Sequence, residues 1–202
     1  MSKMSLMAPS RRLLILGAAL SATALVLPGC ATRVKASALT NPAPARPFSD
    51  FGRIVLKPIR IAPGAEANVA GVNKIKENIE KNLSPSLQTW NKGPDNGRTL
   101  SIEPVVLQMQ FQHGAKRVLL GPLAGSSGVL IELRITDGQG SAVATPQFFQ
   151  RADAWAAGFV MGVHDNLMLT RVAELASTFV VDNYAEAKGG PTGADDKAMA
   201  RH

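Results

Sequence analysis

The sequence predicts an α+β domain: a two-layer sandwich with a small mixed sheet of about four strands, ordered β-α-β-β-β-α, and its helices on one face. Three observations predict it. Residues 99–112 and 128–137 alternate apolar and polar side chains with the period of a strand. Residues 67–84 and 165–184 instead repeat their apolar positions every three to four residues, as a helix does. The strands come in a run between the helices, so the simplest way to bury both sets of apolar faces is to lay the helices on one side of the sheet.

Each element has its own signal. In 51–61, Ile54, Leu56, Ile59 and Ile61 are apolar against Arg53, Lys57 and Arg60, and Pro58 interrupts the ladder, predicting a kinked or edge strand. Pro63-Gly64 marks a turn. Val72, Ile75, Ile79 and Leu83 line the first helix, and Ser84-Pro85 ends it or restarts it with Leu87 and Trp90 on the same face. Asn91 to Gly97 is a loop. The next strand carries Leu100 and Ile102, then shifts phase after Pro104 to Val105, Leu107, Met109 and Phe111, which predicts a bulge at the proline. Val129, Ile131, Leu133 and Ile135 form the third strand; Asp137-Gly138-Gln139-Gly140 turns it back into a fourth over 142–153. Leu169, Val172, Ala173, Ala176, Phe179, Val180 and Asn183 share one face of the last helix, with Asp165 or Asn166 as its cap. The globular part is thus expected over 51–184, about 130 residues, enough to bury roughly two thirds of its unfolded surface. Residues 185–202 are expected to form a disordered tail.

The 202-residue chain has 22 Lys+Arg against 15 Asp+Glu, a formal charge of +7. Residues 1–29 hold Lys3, Arg11 and Arg12 and no acid, so +7 falls to +4 without them. With aromatic residues at only 5%, nucleic-acid binding, which needs clustered cations and stacking rings, is not expected. One cysteine excludes an internal disulfide framework, and three separated histidines give no metal centre. No cofactor is expected.

Residues 1–29 read as an export signal: Arg11-Arg12 precede an apolar run from Leu13 to Leu27, too short and too rich in small residues for a spanning helix. The run ends at Leu27-Pro28-Gly29-Cys30, which resembles the lipobox of bacterial lipoproteins. The resemblance implies cleavage between Gly29 and Cys30, diacylglyceryl transfer to Cys30 and acylation of the new terminus. Acyl chains in that number hold a protein stably on a membrane. Ala31, in place of the aspartate that retains lipoproteins at the inner membrane, implies the outer membrane. Ser10-Arg11-Arg12-Leu13-Leu14 also resembles a twin-arginine signal, leaving both export routes open. Residues 30–50, with Pro42, Pro44 and Pro47, are expected to be a flexible tether reaching at most about 60–70 Å.

Few residues suggest chemistry. The Gly121 to Gly128 segment lacks the lysine and the following helix of a phosphate-binding loop. Its apolar neighbours make it a candidate docking loop, with Leu120, Leu123, Ser126 and Ser127 as candidate contacts. Ala154 to Val163 is a core crossover or a surface segment, in which Trp155 and Phe159 would meet a membrane or partner. His164 beside Asp165 suggests acid–base chemistry, but no nucleophile accompanies it. No catalytic residue is assigned.

From Leu100 to Tyr184, the run Arg117-Val118-Leu119, the Gly-rich loop, the strand Val129 to Leu133, the turn Asp137 to Gly140 and the last helix resemble an uncharacterised bacterial lipoprotein family carrying domain of unknown function 4410. The resemblance implies an α+β envelope domain and no catalytic residues. The function expected is a non-enzymatic binding or assembly module of the periplasm, partnered with the membrane and another envelope protein. An auxiliary lipoprotein of lipid or solute transport is the alternative, and a cell-wall or ester hydrolase a third.

Overall fold

A computed structural model describes residues 38–111, 127–152 and 163–194. The chain is α+β. Its main sheet has six strands: β2 (Arg53–Leu56), β3 (Arg60–Ile61), β4 (Thr99–Gln110), β5 (Ser127–Asp137), β6 (Ala142–Ala144) and β7 (Gln147–Ala152). A separate two-stranded ribbon joins β1 (Thr40–Asn41) to β8 (Gly190–Pro191). Helices α1 (Val69–Trp90) and α2 (Val163–Asp182) pack against one face of the sheet.

The prolines set the strand breaks. Lys57-Pro58 divides the first strand into β2 and β3, both parallel to β4, with Ile54 opposite Leu100 and Ile61 opposite Val106. Helix α1 is the crossover that such parallel pairing requires. Thr145-Pro146 likewise divides the expected fourth strand into β6 and β7, both antiparallel to β5. About four strands were expected; proline interruption and short terminal pairings raise the number.

Strands β4 and β5 pair antiparallel from Leu100↔Asp137 to Gln110↔Gly128. The register shifts between Val106 and Gln108, so the bulge sits at Leu107, not at Pro104. Pro104 stays in phase opposite Leu133. The consequence is a different inner face: Leu100, Ile102, Val106 and Met109 enter the main core, while Leu107 packs with Leu130, Phe149 and Ala194 on the far side. The sheet is therefore apolar on both faces at this point.

The main core joins Val129, Ile131, Leu133, Ile135 and Phe148 of the sheet to Val72, Ile75, Ile79 and Leu83 of α1, and to Leu169, Val172, Ala176 and Val180 of α2. Burying each such side chain contributes about 1.5–3 kcal/mol. Asn68 caps α1 by accepting from the Gly71 N–H at 3.0 Å. A Cβ at Gly71 would lie 2.9 Å from Met109 Sδ, so the first turn approaches β4 as only glycine allows. Helix α1 runs unbroken through Pro85, which neither ends nor restarts it. Helix α2 begins at Val163, so Asp165 and Asn166 lie inside it and neither is the cap.

Both expected ends of the domain are corrected. Residues 38–50 are not a free tether: Ala45 donates to Val143 O at 2.9 Å, and Phe48 is fully buried in the main core. Residues 185–194 are not a free tail. Buried Asn183 donates to Phe179 O and Gly189 O and accepts from the Lys188 and Gly189 N–H groups, closing the turn after α2. Thr192 then bridges two segments: its carbonyl accepts from Phe149 N–H at 2.7 Å, and its N–H donates to Leu39 O at 3.0 Å.

Candidate interaction surface

Several elements meet at one end of the sheet. Strand β4 leaves it at Gln110, β5 enters it at Ser127, and β7 leaves it at Ala152, which pairs with Ser127. Helix α1 begins there, with Gly71 against Met109 and Phe111. Phe179, late in α2, meets Phe148, early in β7, with ring centroids 5.7 Å apart, so α2 runs opposite to β7 and starts at the same end. The connections 112–126 and 153–162 thus both spring from this end.

Gly29, Cys30, Leu120, Leu123, Ser126, Trp155 and Phe159 lie outside the described residues. Ser127 is a correction: it opens β5, fully buried, and is not an exposed loop residue. Its neighbour Gly128 pairs with both Gln110 and Arg151, which draws the strand one residue further than its alternation shows. His164 stands in the first turn of α2.

A groove of about 500 Å³ opens at the same end, between Pro63–Glu66 and Leu107–Gln110. Its lining offers amides, a thioether and one carboxylate, Glu66, without a nucleophile–base pair. Among the described residues, no group of three or more His, Cys, Asp or Glu could hold a metal ion. No described helix is long and apolar enough to cross a membrane.

The sheet face turned from the helices carries a polar row. Arg60 meets Glu103 at 3.4 Å, Glu103 stands opposite Arg134, Arg134 meets Glu132 at 3.2 Å, and Gln147 donates to Glu132 at 3.3 Å. Such half-exposed pairs contribute little stability, about 0–1 kcal/mol each. They do keep this face wet, whereas Leu107, Leu130 and Phe149 beside them are covered by Ala194.

At each edge of the sheet an asparagine caps one strand residue. Asn91, just past α1, accepts from the Ile54 N–H at 2.8 Å and donates to Ile54 O at 2.9 Å, on edge strand β2. Asn41 does the same to Gln147 of β7, with both contacts at 2.8 Å. A carboxamide supplies one donor and one acceptor side by side, as a neighbouring strand residue would, and blunts an edge that would otherwise recruit another chain.

No family model and no curated protein matches the chain. Among solved structures, it is similar to the PelC dodecamer from Paraburkholderia phytofirmans, at 10% identity and a TM-score of 0.42, over 74% of this chain and 96% of that one. A point variant of the same PelC aligns at 12% identity and a TM-score of 0.38, over 66% of this chain and 90% of that one. Likeness at this level establishes neither a shared fold nor a shared role.

Proposed function

We propose that the chain is a lipid-anchored envelope protein whose α+β domain binds or assembles with another envelope protein and catalyses no reaction. The observation that carries this reading is the place of the one cysteine: Cys30 falls where the apolar run Leu13 to Leu27 stops, in a lipobox-like setting. Thiol acylation there fixes the mature terminus to lipid, and two or more chains make the attachment stable. Ala31 after the cysteine directs the protein to the outer membrane, facing the periplasm.

The test has two arms. Cells fed labelled palmitate incorporate it into the wild-type chain and lose it with Cys30→Ser, which also leaves the membrane fraction; label retained by the serine variant overturns the anchor. Cross-linking through the domain in intact cells, followed by mass spectrometry, yields one dominant envelope protein. Recovery of lipid or glycan with no protein overturns the assembly reading.

A further inference from the structure

We propose that the end of the sheet holding Gln110, Ser127 and Ala152 faces the lipid bilayer at close range. The inference rests on the anchored reading above and adds an orientation to it. Three independent observations carry it.

The first is length. Ala38 is already tied down, since its carbonyl accepts from Thr192 Oγ1 at 2.6 Å. Only eight residue steps separate it from Cys30, a reach of at most about 28 Å. A compact chain of this size has a radius of gyration of about 15 Å and is about 40 Å across. The link is shorter than the domain is wide, so the domain cannot turn over and present its opposite pole to the lipid.

The second is position. Ala38 and Leu39 are held by Thr192, and Thr192 by Phe149 in β7. Phe149 lies opposite Leu130, three residues from Ser127. The anchored segment therefore reaches the domain beside the end from which both connections spring.

The third is composition. The exposed large apolar side chains among the described residues are Leu39, Ile61, Val69, Leu167 and Val181. Leu39 lies beside this end, Val69 and Leu167 stand in the opening turns of α1 and α2, and Ile61 pairs with Val106 on the approach to it. Val181 sits at the far end of α2.

The test uses the full chain, processed in cells and reconstituted into phosphatidylethanolamine–phosphatidylglycerol vesicles. A photo-cross-linking amino acid replaces Leu39, Val69 or Leu167 in one set and Gln139 or Asp95, at the opposite end, in another. The expected result is lipid adducts at least tenfold more abundant from the first set. Equal adducts from both sets, or more from the second, overturn the orientation. So does capture of a protein in place of lipid when the first set is irradiated in cells. The mass of the Cys30 peptide from the same sample separates the two claims: acylated chain without the expected adducts overturns the orientation alone, and unacylated chain overturns the anchor and the orientation together.

Discussion

Three asparagine side chains stand in for backbone in this fold. Asn41 and Asn91 each complete a hydrogen-bonded pair with an edge residue, and Asn183 makes four contacts within the turn after α2. Asn183 uses all its donors and acceptors while fully buried, so no polar atom of its amide is left desolvated. Asn91→Ala strips two partners from Ile54 at once. It is expected to lower unfolding stability by about 1–3 kcal/mol in urea titration. Asn91→Asp fares no better, because a carboxylate cannot donate to Ile54 O; an aspartate variant as stable as wild type would show that the donor contact contributes nothing. None of these roles is legible in the sequence. An asparagine before a Gly-Pro loop and one before a Gly-Gly-Pro loop look alike, and which reaches an edge depends on the packing of distant segments.

At the level of elements, periodicity predicts what is long and amphipathic and misses what is short. Helix α1 keeps Val72, Ile75, Ile79 and Leu83 inward, as their spacing predicts. Pro85 is the exception to its local rule. It sits on an exposed turn of the helix, where its ring removes the bond to Lys81 O but meets no packed neighbour. Ser84 and Thr89 hydroxyls donate to the Glu80 and Pro85 carbonyls on either side. An interior proline costs a helix about 3 kcal/mol against alanine, and its stiffening of the unfolded chain returns about 0.4–1 kcal/mol. Allowing for local adaptation, Pro85→Ala is expected to raise stability by about 1–2 kcal/mol in thermal or denaturant unfolding. A loss of stability would mean that the helix needs the break. The bulge at Leu107 belongs to the same scale. Alternation locates a slip in β4 but not its residue, because Pro104, Val105 and Val106 are all apolar and any of them fits either face.

At the scale of the molecule, the segments on either side of the expected domain pack along one edge of the sheet. The segment 38–47 lies along β6 and β7 through Ala45 and Asn41, and the segment 189–194 is held against it by the Thr40–Pro191 pairing and by Thr192. Phe48 then carries the chain into the core beside Phe179. A fragment spanning residues 51–184 lacks all of this. It is expected to melt lower than a 38–194 fragment and to self-associate in light scattering, since its β6–β7 edge is bare and the contacts of Phe48, worth about 3–5 kcal/mol, are gone. Equal melting temperatures and a monomeric 51–184 fragment would show that the terminal segments are decoration.

The sequence by itself determined the α+β class, both helices, the two long strands β4 and β5 and the break at Pro58, and it singles out Cys30. Each of these is written in a local pattern: a period, a turn residue, or the end of an apolar run. Tertiary structure alone decided where the domain begins and ends, where the bulge falls, how the sheet's edges are capped and which end gathers the connections. Those features rest on two-residue pairings and single side chains meeting across more than a hundred positions of sequence, as Asn41 meets Gln147. Contacts of that kind leave no periodic trace, because their free energy depends on the fold that brings the partners together.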